Sequence, residues 1–265
     1  MSRRLRLDAE LVRRGLARSR DQAADLIAAG RVAVAGQTAA KAASLVSVDA
    51  AITVEQPSDV PEYVSRGGHK LAGALAAFGD LTVAGKRCLD AGASTGGFTD
   101  VLLRSGAAHV VAVDVGYGQL AWALQTDARV TVLDRVNVRG LTPELVAPAP
   151  DLVVADLSFI SLTLALPALV RCAAPGADFV VMVKPQFEVG REAVGGGVVR
   201  DPDLRAAAVG KVAAAAAGLG LGVVGLTASP LPGPSGNVEY FLWLTRGAEP
   251  LDQDMLGQAI AAGPQ

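Results

Sequence analysis

Two residues able to move protons each stand at the end of an apolar run in this 265-residue sequence. Asp156 closes the run 152–156, and Lys184 closes the run 179–184. A lysine at the end of a buried strand is costly unless it is paired or functional. If the two runs are parallel strands of one sheet, both side chains project into the same crevice. The pattern favours an acid–base or positioning role for both residues, with a purely structural ion pair between them as the alternative.

Two further charged residues lie in distinctive surroundings but far along the chain from this pair. Lys70 follows residues 65–69 in a predicted helix, and Glu239 precedes the last apolar run. Taken alone, each is better explained as a surface charge, since lysine and glutamate are mostly exposed in folded proteins. Only a fold that brings their segments together would make them part of the same site.

A glycine-rich loop follows the first apolar run that is predicted to be a strand. Residues 90–98 are Asp-Ala-Gly-Ala-Ser-Thr-Gly-Gly-Phe, and a helix is predicted to begin near Gly96. Glycines permit a tight turn and let a ligand approach the backbone. The dinucleotide fingerprint requires glycine where Ser94 stands, so the match to that motif fails at its centre. We predict a cofactor loop, with a structural turn as the alternative, and its candidate contacts are Asp90, Gly92, Ser94, Thr95, Gly96, Gly97 and Phe98.

Acidic residues close the next two predicted strands. Asp114 ends the second strand and Asp134 ends the third. Carboxylates there can accept hydrogen bonds from ribose hydroxyls and from an exocyclic amine, whereas the structural alternative for each is a helix N-cap. An acidic first-strand residue, Asp90, suits a cationic sulfonium ligand better than a pyrophosphate. Together with Asp156 in the same crevice, these residues favour S-adenosylmethionine over NAD as the cofactor.

No metal site and no membrane segment are predicted. Cys88 and Cys172 lie in apolar stretches that match no metal-ligand spacing, and we interpret both as buried thiols in a reducing cytoplasm. Charged residues within 8–14 interrupt any signal-peptide core. The most apolar stretch, 206–226, is better explained as a helix followed by a strand than as a membrane span. We expect a cytoplasmic protein.

Apolar runs that alternate with helical segments predict the scaffold that positions these residues. Runs that are apolar on both faces imply a parallel sheet covered by helices on both sides. We therefore predict a doubly wound α/β fold, which binds ligands at the carboxyl ends of its strands near the switch point of strand order. The predicted strands are 87–90, 110–114, 130–134, 152–156, 179–184, 221–226 and 240–244.

The first twenty residues are strongly basic although the whole chain carries a net charge of −2. They contain seven arginines against Asp8 and Glu10, an excess of five positive charges. Such a cluster favours a phosphate-binding face, with a solvated helix surface as the alternative. The candidate RNA-contacting residues are Arg3, Arg4, Arg6, Arg14, Arg18 and Arg20, to which Arg66 is added from a later segment.

Two short helices and a small sheet are predicted within the first 56 residues. The first helix begins at Leu7, and Ser19 is predicted to cap the second helix in a capping box with Gln22. Strands are predicted at 32–34 and, as a pair, within 44–54. We expect a small α+β domain over 1–56, a stiff linker over 57–64, a catalytic domain over 65–246 and a peripheral tail over 247–265.

Nearly the whole chain resembles the TlyA family of ribosomal RNA 2′-O-methyltransferases, whose members have also been labelled haemolysins. The passages that carry the resemblance are 64–71, 90–98, 155–161, 183–189 and 230–241. The later part is similar to FtsJ-type 2′-O-methyltransferases, and the first sixty residues resemble the RNA-binding domain of the ribosomal protein S4 type. FtsJ-type enzymes use a Lys-Asp-Lys-Glu set in that order along the chain, and by position this set falls on Lys70, Asp156, Lys184 and Glu239.

The resemblance implies a Rossmann-like methyltransferase sheet of seven strands, the last one antiparallel, behind a small α+β RNA-binding domain. It implies 2′-O-methylation of cytidine by S-adenosylmethionine in ribosomal RNA within ribosomal subunits. The target would lie in the small subunit and, for some members, also in the large subunit. Such methylation is expected to affect sensitivity to capreomycin-type antibiotics. We expect a monomer without a metal or a membrane partner.

Three other functions are weighed against this one. A membrane-active haemolysin would need a spanning segment or a long amphipathic basic helix, and the sequence gives no sign of either. A non-catalytic ribosome-binding factor would not need all four charged residues. An NAD-dependent oxidoreductase is disfavoured by Ser94, which breaks the fingerprint.

The chemistry explains why lysines and carboxylates occur together in such a set. A ribose 2′-hydroxyl is a poor nucleophile until its proton is removed, and a general base typically contributes about 10²–10⁴-fold. An ordinary lysine has a pKa of about 10.4, which burial, a neighbouring lysine and a sulfonium would together lower. Asp156 and Glu239 oppose that shift. Our hypothesis therefore assigns Lys184 as the base and assigns positioning to Asp156, Glu239 and Lys70.

Overall fold

The computed structural model describes residues 4–17, 19–54, 62–190, 194 and 197–263. The chain divides into two compact units, Met1–Glu62 and Tyr63–Gln265, here called unit 1 and unit 2. Residues 57–61 of the expected linker lie outside the described residues, as do the candidate RNA contacts Arg3 and Arg18.

Unit 1 consists of two helices packed on short antiparallel strands. Leu7, Leu11 and Ile27 belong to its apolar core. Ser19 is the N-cap of the second helix, and its Oγ accepts a hydrogen bond from the backbone N of Gln22 at 3.1 Å, which confirms the predicted N-cap. The elements are β1 (Arg4–Arg6), α1 (Leu7–Arg13), α2 (Arg20–Ala28), β2 (Val32–Val34), β3 (Gln37–Thr38), β4 (Leu45–Ser47) and β5 (Ile52–Val54).

The two strands predicted as a pair within residues 44–54 do not pair with each other. β4 pairs with β1, with Val46 opposite Leu5, and β5 pairs with β2, with Ile52 opposite Val34. The sequence does not reveal this arrangement, because β1 is only three residues long and two of them are arginines, a composition that does not indicate a strand.

Unit 2 alternates strands and helices along the chain, as predicted. Its strands are β6 (Arg87–Ala91), β7 (His109–Asp114), β8 (Val130–Asp134), β9 (Leu152–Ala155), β10 (Asp178–Val183), β11 (Leu221–Ala228) and β12 (Tyr240–Arg246), all within two residues of the predicted bounds. Its helices are α3 (Arg66–Ala77), α4 (Gly97–Arg104), α5 (Trp122–Gln125), α6 (Pro143–Val146), α7 (Leu162–Cys172), α8 (Pro185–Glu188), α9 (Pro202–Ala217) and α10 (Gln253–Ala262), with a 3₁₀ turn at Val138–Gly140.

The seven strands of unit 2 form one sheet in the order β11-β12-β10-β9-β6-β7-β8. β12 runs antiparallel to both of its neighbours, and the other neighbouring pairs are parallel. This confirms the predicted doubly wound sheet with an antiparallel last strand. The strand order reverses at β6, which lies between β7 and β9. Such folds bind ligands at the carboxyl ends of the strands that flank this point.

Apolar clusters cover both faces of the sheet. Leu89 and Val153 belong to one cluster, which also contains residues of α7 and α9, whereas Cys88 and Val110 belong to the other, with residues of α3 and α4. Burial on both faces explains why the strand sequences are apolar without alternation.

The C-terminal segment differs from the peripheral tail that was expected. It contains α10, whose Ile260 is buried in the main apolar cluster. A Cβ atom built on Gly263 would lie only 2.9 Å from Cγ1 of Val238, so Gly263 packs against the residue that precedes Glu239. The sequence conceals this contact because α10 has few large apolar residues among its alanines and polar residues.

Candidate active site

Lys184 and Asp156 form an ion pair at the carboxyl edge of the sheet. They directly follow β10 and β9, which are neighbouring parallel strands. The Nζ of Lys184 lies 2.6 Å from Oδ1 of Asp156, and it donates a hydrogen bond to Oγ of Ser158 at 2.8 Å. Lys184 is buried and Asp156 is partly exposed. The structure thus brings together the two residues that were predicted from their positions at the ends of strands.

Lys70 and Glu239 form a second ion pair, which is more deeply buried. The Nζ of Lys70 lies 2.5 Å from Oε2 of Glu239, and the two side chains are 8% and 1% exposed. Lys70 lies in the second turn of α3, and Glu239 directly precedes β12. Neither residue is the surface charge that its sequence surroundings alone favoured.

The sheet register relates the two ion pairs to each other. In the antiparallel ladder of β10 and β12, Val183 stands opposite Tyr240. Lys184 and Glu239 are the next residues outward on these two strands, so they occupy adjoining positions at the same edge of the sheet. Two lysines and two carboxylates therefore meet at this edge, although Lys70 and Glu239 are 169 positions apart in the sequence.

Close backbone contacts hold the glycine loop against the strand and the helix that carry these pairs. Gly92 has a φ of 89°, and a Cβ atom on it would lie 2.5 Å from the carbonyl oxygen of Asp156. A Cβ atom on Gly97 would lie 2.7 Å from the backbone N of Gly68. Only glycine fits at these two positions. The loop is therefore in close contact both with the end of β9 and with the beginning of α3, the helix that carries Lys70.

Asp90 presents a buried carboxylate with one unused oxygen. The hydroxyl of Thr99 donates to its Oδ2 at 2.6 Å, and Oδ1 has no hydrogen-bond partner among the described residues. Burial raises the pKa of Asp90 to about 7, an effect that the Thr99 hydrogen bond partly opposes. A buried carboxylate oxygen without a partner is unfavourable. A cationic ligand would supply the missing partner.

Asp114 and Asp134 organise the turn that follows β7. Asp114 accepts hydrogen bonds from the backbone N of Ser94 at 2.8 Å and of Gly116 at 2.7 Å. Asp134 accepts one from the backbone N of Gly118 at 2.9 Å. Neither residue is a helix N-cap, which excludes the structural alternative considered for them. Carboxylate oxygens can accept more than one hydrogen bond, so both remain available to ribose hydroxyls or an amine.

Phe98 differs from the other predicted residues of the glycine loop. Ser94 and Thr95 are exposed, whereas Phe98 is buried in a core cluster with its ring centroid 6.0 Å from that of Phe241. The contact of Phe98 with the cofactor therefore stays a prediction, and the ring of Phe98 belongs to the core. Its position in the first turn of α4 directs the side chain into the core. Gly96 is the N-cap of α4, with a φ of 96°.

Arg14 is held by unit 1 itself. Its Nε donates to Glu10 at 2.7 Å, and its two terminal nitrogens donate to the backbone oxygens of Ala50 and Val48, each at 2.7 Å. Glu10 is fully buried. Hydrogen bonds from Arg13 and Arg14 lower its pKa to about 2. RNA contact by Arg14 stays a prediction, and the hydrogen bonds present give its guanidinium a structural role within unit 1.

The other described basic candidates are exposed. Arg6 and Arg20 each donate a hydrogen bond to Oδ2 of Asp8 at 2.9 Å, and their side chains are 47% and 58% exposed. These contacts, the Arg6 hydrogen bond foremost, hold the pKa of Asp8 well below its usual range. Arg4 is exposed on β1, and Arg66 is exposed at the first residue of α3. These four arginines can still reach phosphates.

Sequence reasoning missed two residues beside the charged pairs. The hydroxyl of Ser158 contacts Lys184, which only the folded backbone reveals. Phe159 has a φ of 64° and is 92% exposed, and its ring centroid lies 5.3 Å from that of Phe187. An exposed aromatic ring near a charged site is typical of surfaces that bind nucleic-acid bases. Its position three residues after Asp156 is the one signal in the sequence that could have indicated it.

Neither a membrane span nor a metal cluster is found in the part of the chain that the structure describes. None of its helices is long and apolar enough to cross a bilayer. No group of three or more histidine, cysteine, aspartate or glutamate side chains there is arranged to hold a metal ion.

Comparison with known proteins matches both units to characterised families. Residues 63–246 match the FtsJ-like methyltransferase family, and residues 5–52 match the S4 domain family.

Individual relatives match nearly the full length of the chain. It is 63% identical over 270 residues to the 16S/23S rRNA (cytidine-2′-O)-methyltransferase TlyA of Mycobacterium tuberculosis, with complete coverage of both chains. It is 38% identical to Hemolysin A of Brachyspira hyodysenteriae, over 89% of this chain and 98% of that protein. A solved structure described as a candidate hemolysin from Streptococcus thermophilus matches with a TM-score of 0.78 and 37% identity, covering 98% of this chain and 96% of that one.

Proposed function

This chain belongs to the FtsJ-like methyltransferase family and, within it, to the TlyA group of rRNA (cytidine-2′-O)-methyltransferases, and we propose that it methylates the ribose 2′-oxygen of cytidine in ribosomal RNA. The Mycobacterium tuberculosis relative is named for both 16S and 23S rRNA. We propose rRNA of the small subunit and of the large subunit as the substrates of this enzyme. A ribosomal substrate implies that it works in the cytoplasm.

The observation that carries the proposal is the meeting of two lysines and two carboxylates at one sheet edge. Lys70, Asp156, Lys184 and Glu239 occur in the order of the FtsJ-type set and form two ion pairs at adjoining strand ends. Buried ion pairs are weak contributors to stability, because desolvation offsets their attraction. The Lys70–Glu239 pair is deeply buried and the Lys184–Asp156 pair is largely so. Two such pairs beside a glycine loop therefore favour a catalytic role over a purely stabilising one.

The residues of the loop fit S-adenosylmethionine as the methyl donor. Asp90 offers an unpartnered carboxylate oxygen to a cationic group, and Gly92 and Gly97 leave no room for a side chain. Asp114 and Asp134 at the next two strand ends would accept hydrogen bonds from the ribose and the adenine amine. When bound, this cofactor supplies a methyl group activated by a positive sulfur.

The four charged residues divide the remaining work. In its neutral form, Lys184 accepts the proton of the 2′-hydroxyl, for which general-base help is worth about 10²–10⁴-fold. Asp156 and Glu239 hold the two lysines, and together with Lys70 they orient the ribose. Methyl transfer requires in-line approach at near-attack distance, so this orientation contributes heavily to the rate.

Unit 1 supplies binding to RNA. Its S4 domain match covers residues 5–52, and Arg4, Arg6 and Arg20 present positive charge on its surface. Contacts of arginine with phosphates position a protein on RNA without reading its sequence. We propose domain bounds of 1–56 and 65–246 joined by a linker over 57–64, with residues 247–265 belonging structurally to the second domain.

The test is methyl transfer to separated ribosomal subunits from cells that lack this activity. The enzyme is incubated with radiolabelled S-adenosylmethionine and 30S or 50S subunits, and nuclease digestion locates the label. We expect label on the ribose of cytidine in both subunits. Label on a base, or on neither subunit, would refute the proposal.

A Lys184→Ala variant serves as the matched control for the chemical step. It should bind cofactor and RNA as the wild type does and lose about 10²–10⁴-fold in rate. Methylation at the normal rate by this variant would remove Lys184 from the role of base.

A further inference from the structure

The amine of Lys184 has two neighbours that hold it in different ways. Its 2.6 Å contact with Oδ1 of Asp156 is an ion pair, but that oxygen takes part in no hydrogen bond. Its 2.8 Å contact with Oγ of Ser158 is a hydrogen bond, and hydrogen bonds are directional whereas ion pairs tolerate many orientations. Among the described residues, Ser158 is therefore the group that fixes where this amine points.

Ser158 is well placed to act between the lysine and an incoming substrate. It lies two residues after Asp156, on the segment between β9 and α7, and it is exposed although Lys184 is buried. The next residue, Phe159, has a left-handed φ of 64°. Such a conformation is uncommon for a bulky residue and is typical of functional sites.

We infer that Ser158 is a positioning residue for methyl transfer, which holds Nζ of Lys184 so that its free position faces the ribose 2′-hydroxyl. A neutral lysine amine, the form that can accept a proton, has two N–H bonds and one lone pair. When its N–H bonds face Asp156 and Ser158, the lone pair is left for the substrate hydroxyl. The inference rests on the proposed function. Without Ser158, the ion pair alone lets the amine rotate away from near-attack geometry.

The kinetic test compares Ser158→Ala, Ser158→Thr and a control, Ser105→Ala, at an exposed serine that follows α4. We expect Ser158→Ala to lower kcat about tenfold, as loss of a hydrogen bond to a charged group does, with little change in KM for RNA or cofactor. Ser158→Thr keeps a hydroxyl and should restore kcat to within about twofold, and Ser105→Ala should match the wild type.

A spectroscopic test measures the lysine directly and does not depend on turnover. The sequence has only five lysines, which are Lys41, Lys70, Lys86, Lys184 and Lys211, so ¹³C-lysine labelling gives few NMR signals. A Lys184→Arg variant identifies the signal of Lys184 by its loss. We expect Cε of Lys184 to be rigid in the wild type, mobile in Ser158→Ala and rigid again in Ser158→Thr.

The inference would be overturned by wild-type kcat in Ser158→Ala, or by a Lys184 signal that stays rigid in that variant. A fall in binding affinity equal to the fall in rate would also overturn it, because a positioning residue acts on kcat. Failure of the proposed function looks different, since the wild type itself would then transfer no methyl group to either subunit.

Discussion

At the scale of single residues, Asp90 differs from the two lysines of the site in having a buried oxygen without a partner among the described residues. Lys184 and Lys70 each have a carboxylate partner, whereas Asp90 has a hydroxyl on one oxygen and no described partner on the other. Its raised pKa of about 7 is the consequence of that burial. The ligand-free protein thus keeps an unfavourable carboxylate in place for a cationic ligand.

Replacing Asp90 with asparagine should stabilise the ligand-free protein and weaken its binding of the cofactor. Because the pKa of Asp90 is raised on folding, its ionised form opposes folding. This penalty is absent below about pH 4 and grows as pH rises toward the folded pKa of about 7. We expect Asp90→Asn to stabilise the ligand-free protein by about 4 kcal/mol at pH 8 and to weaken cofactor binding at least about tenfold.

Urea unfolding at pH 5 and pH 8, together with calorimetric titration of S-adenosylmethionine, measures both effects. The stabilisation should be smaller at pH 5, where Asp90 is already protonated in the folded protein. An Asp90→Asn protein that is less stable than the wild type at pH 8, or that binds cofactor normally, contradicts this account.

At the scale of secondary-structure elements, α10 is part of the support for the active site. Ile260 is buried in the main cluster, and Gly263 packs against Val238 beside Glu239. Because the C-terminal end of α10 packs against Val238, the neighbour of Glu239, this helix helps to fix the geometry of the Lys70–Glu239 ion pair. Removal of α10 would therefore disturb the Lys70–Glu239 ion pair.

Shortening Ile260 should destabilise unit 2. We expect Ile260→Ala to lower the free energy of unfolding by about 2 kcal/mol, the lower end for truncation of a buried isoleucine. Gln258→Ala, on the exposed side of the same helix, is the matched control and should have no effect. Thermal unfolding of both variants provides the measurement. If Ile260→Ala and Gln258→Ala had the same melting temperature, the C-terminal segment would be peripheral, as the sequence predicted.

The sequence predicted the elements of unit 2 closely because its physical signal is strong there. Parallel strands buried on both faces must be apolar throughout, and β8 has the predicted bounds. The same reasoning missed β1, which is three residues long and mostly charged. Short strands gain their stability from partners distant in the sequence, and no local pattern records those partners.

The candidate site was predictable only in part. Asp156 and Lys184 could be predicted from local sequence alone, because each ends an apolar run that is typical of a buried strand. Lys70 and Glu239 needed the family resemblance, because their contact spans 169 positions. Ser158 and the commitment of Arg14 to Glu10 were not predictable, since both depend on side-chain hydrogen bonds that form after the backbone is in place.

At the scale of the whole molecule, an excess of positive charge is concentrated in the first twenty residues of a chain with a net charge of −2. Part of the positive charge of unit 1 is used internally, because the buried Glu10 binds both Arg13 and Arg14. Electrostatic binding to RNA therefore depends on fewer arginines than the composition suggests.

Two arginines of unit 1 should respond differently to the same substitution. Arg20→Gln removes an exposed charge, so RNA binding should weaken and the slope of log affinity against log salt should fall by about 1. Arg14→Gln should instead lower the melting temperature of unit 1, because Glu10 and two backbone oxygens lose donors.

Filter binding across a salt series and thermal unfolding separate these outcomes. The prediction is wrong if Arg14→Gln leaves the melting temperature unchanged while reducing the salt slope as Arg20→Gln does.

The reversed direction of β12 has a consequence for how this architecture can change over generations. Because that strand begins where its neighbours end, the connection 229–239 arrives directly at the reaction centre. Connections such as 105–108 and 173–177 lie at the opposite rim of the sheet. Insertions and deletions should accumulate in those distant connections and be eliminated by selection in the one before β12.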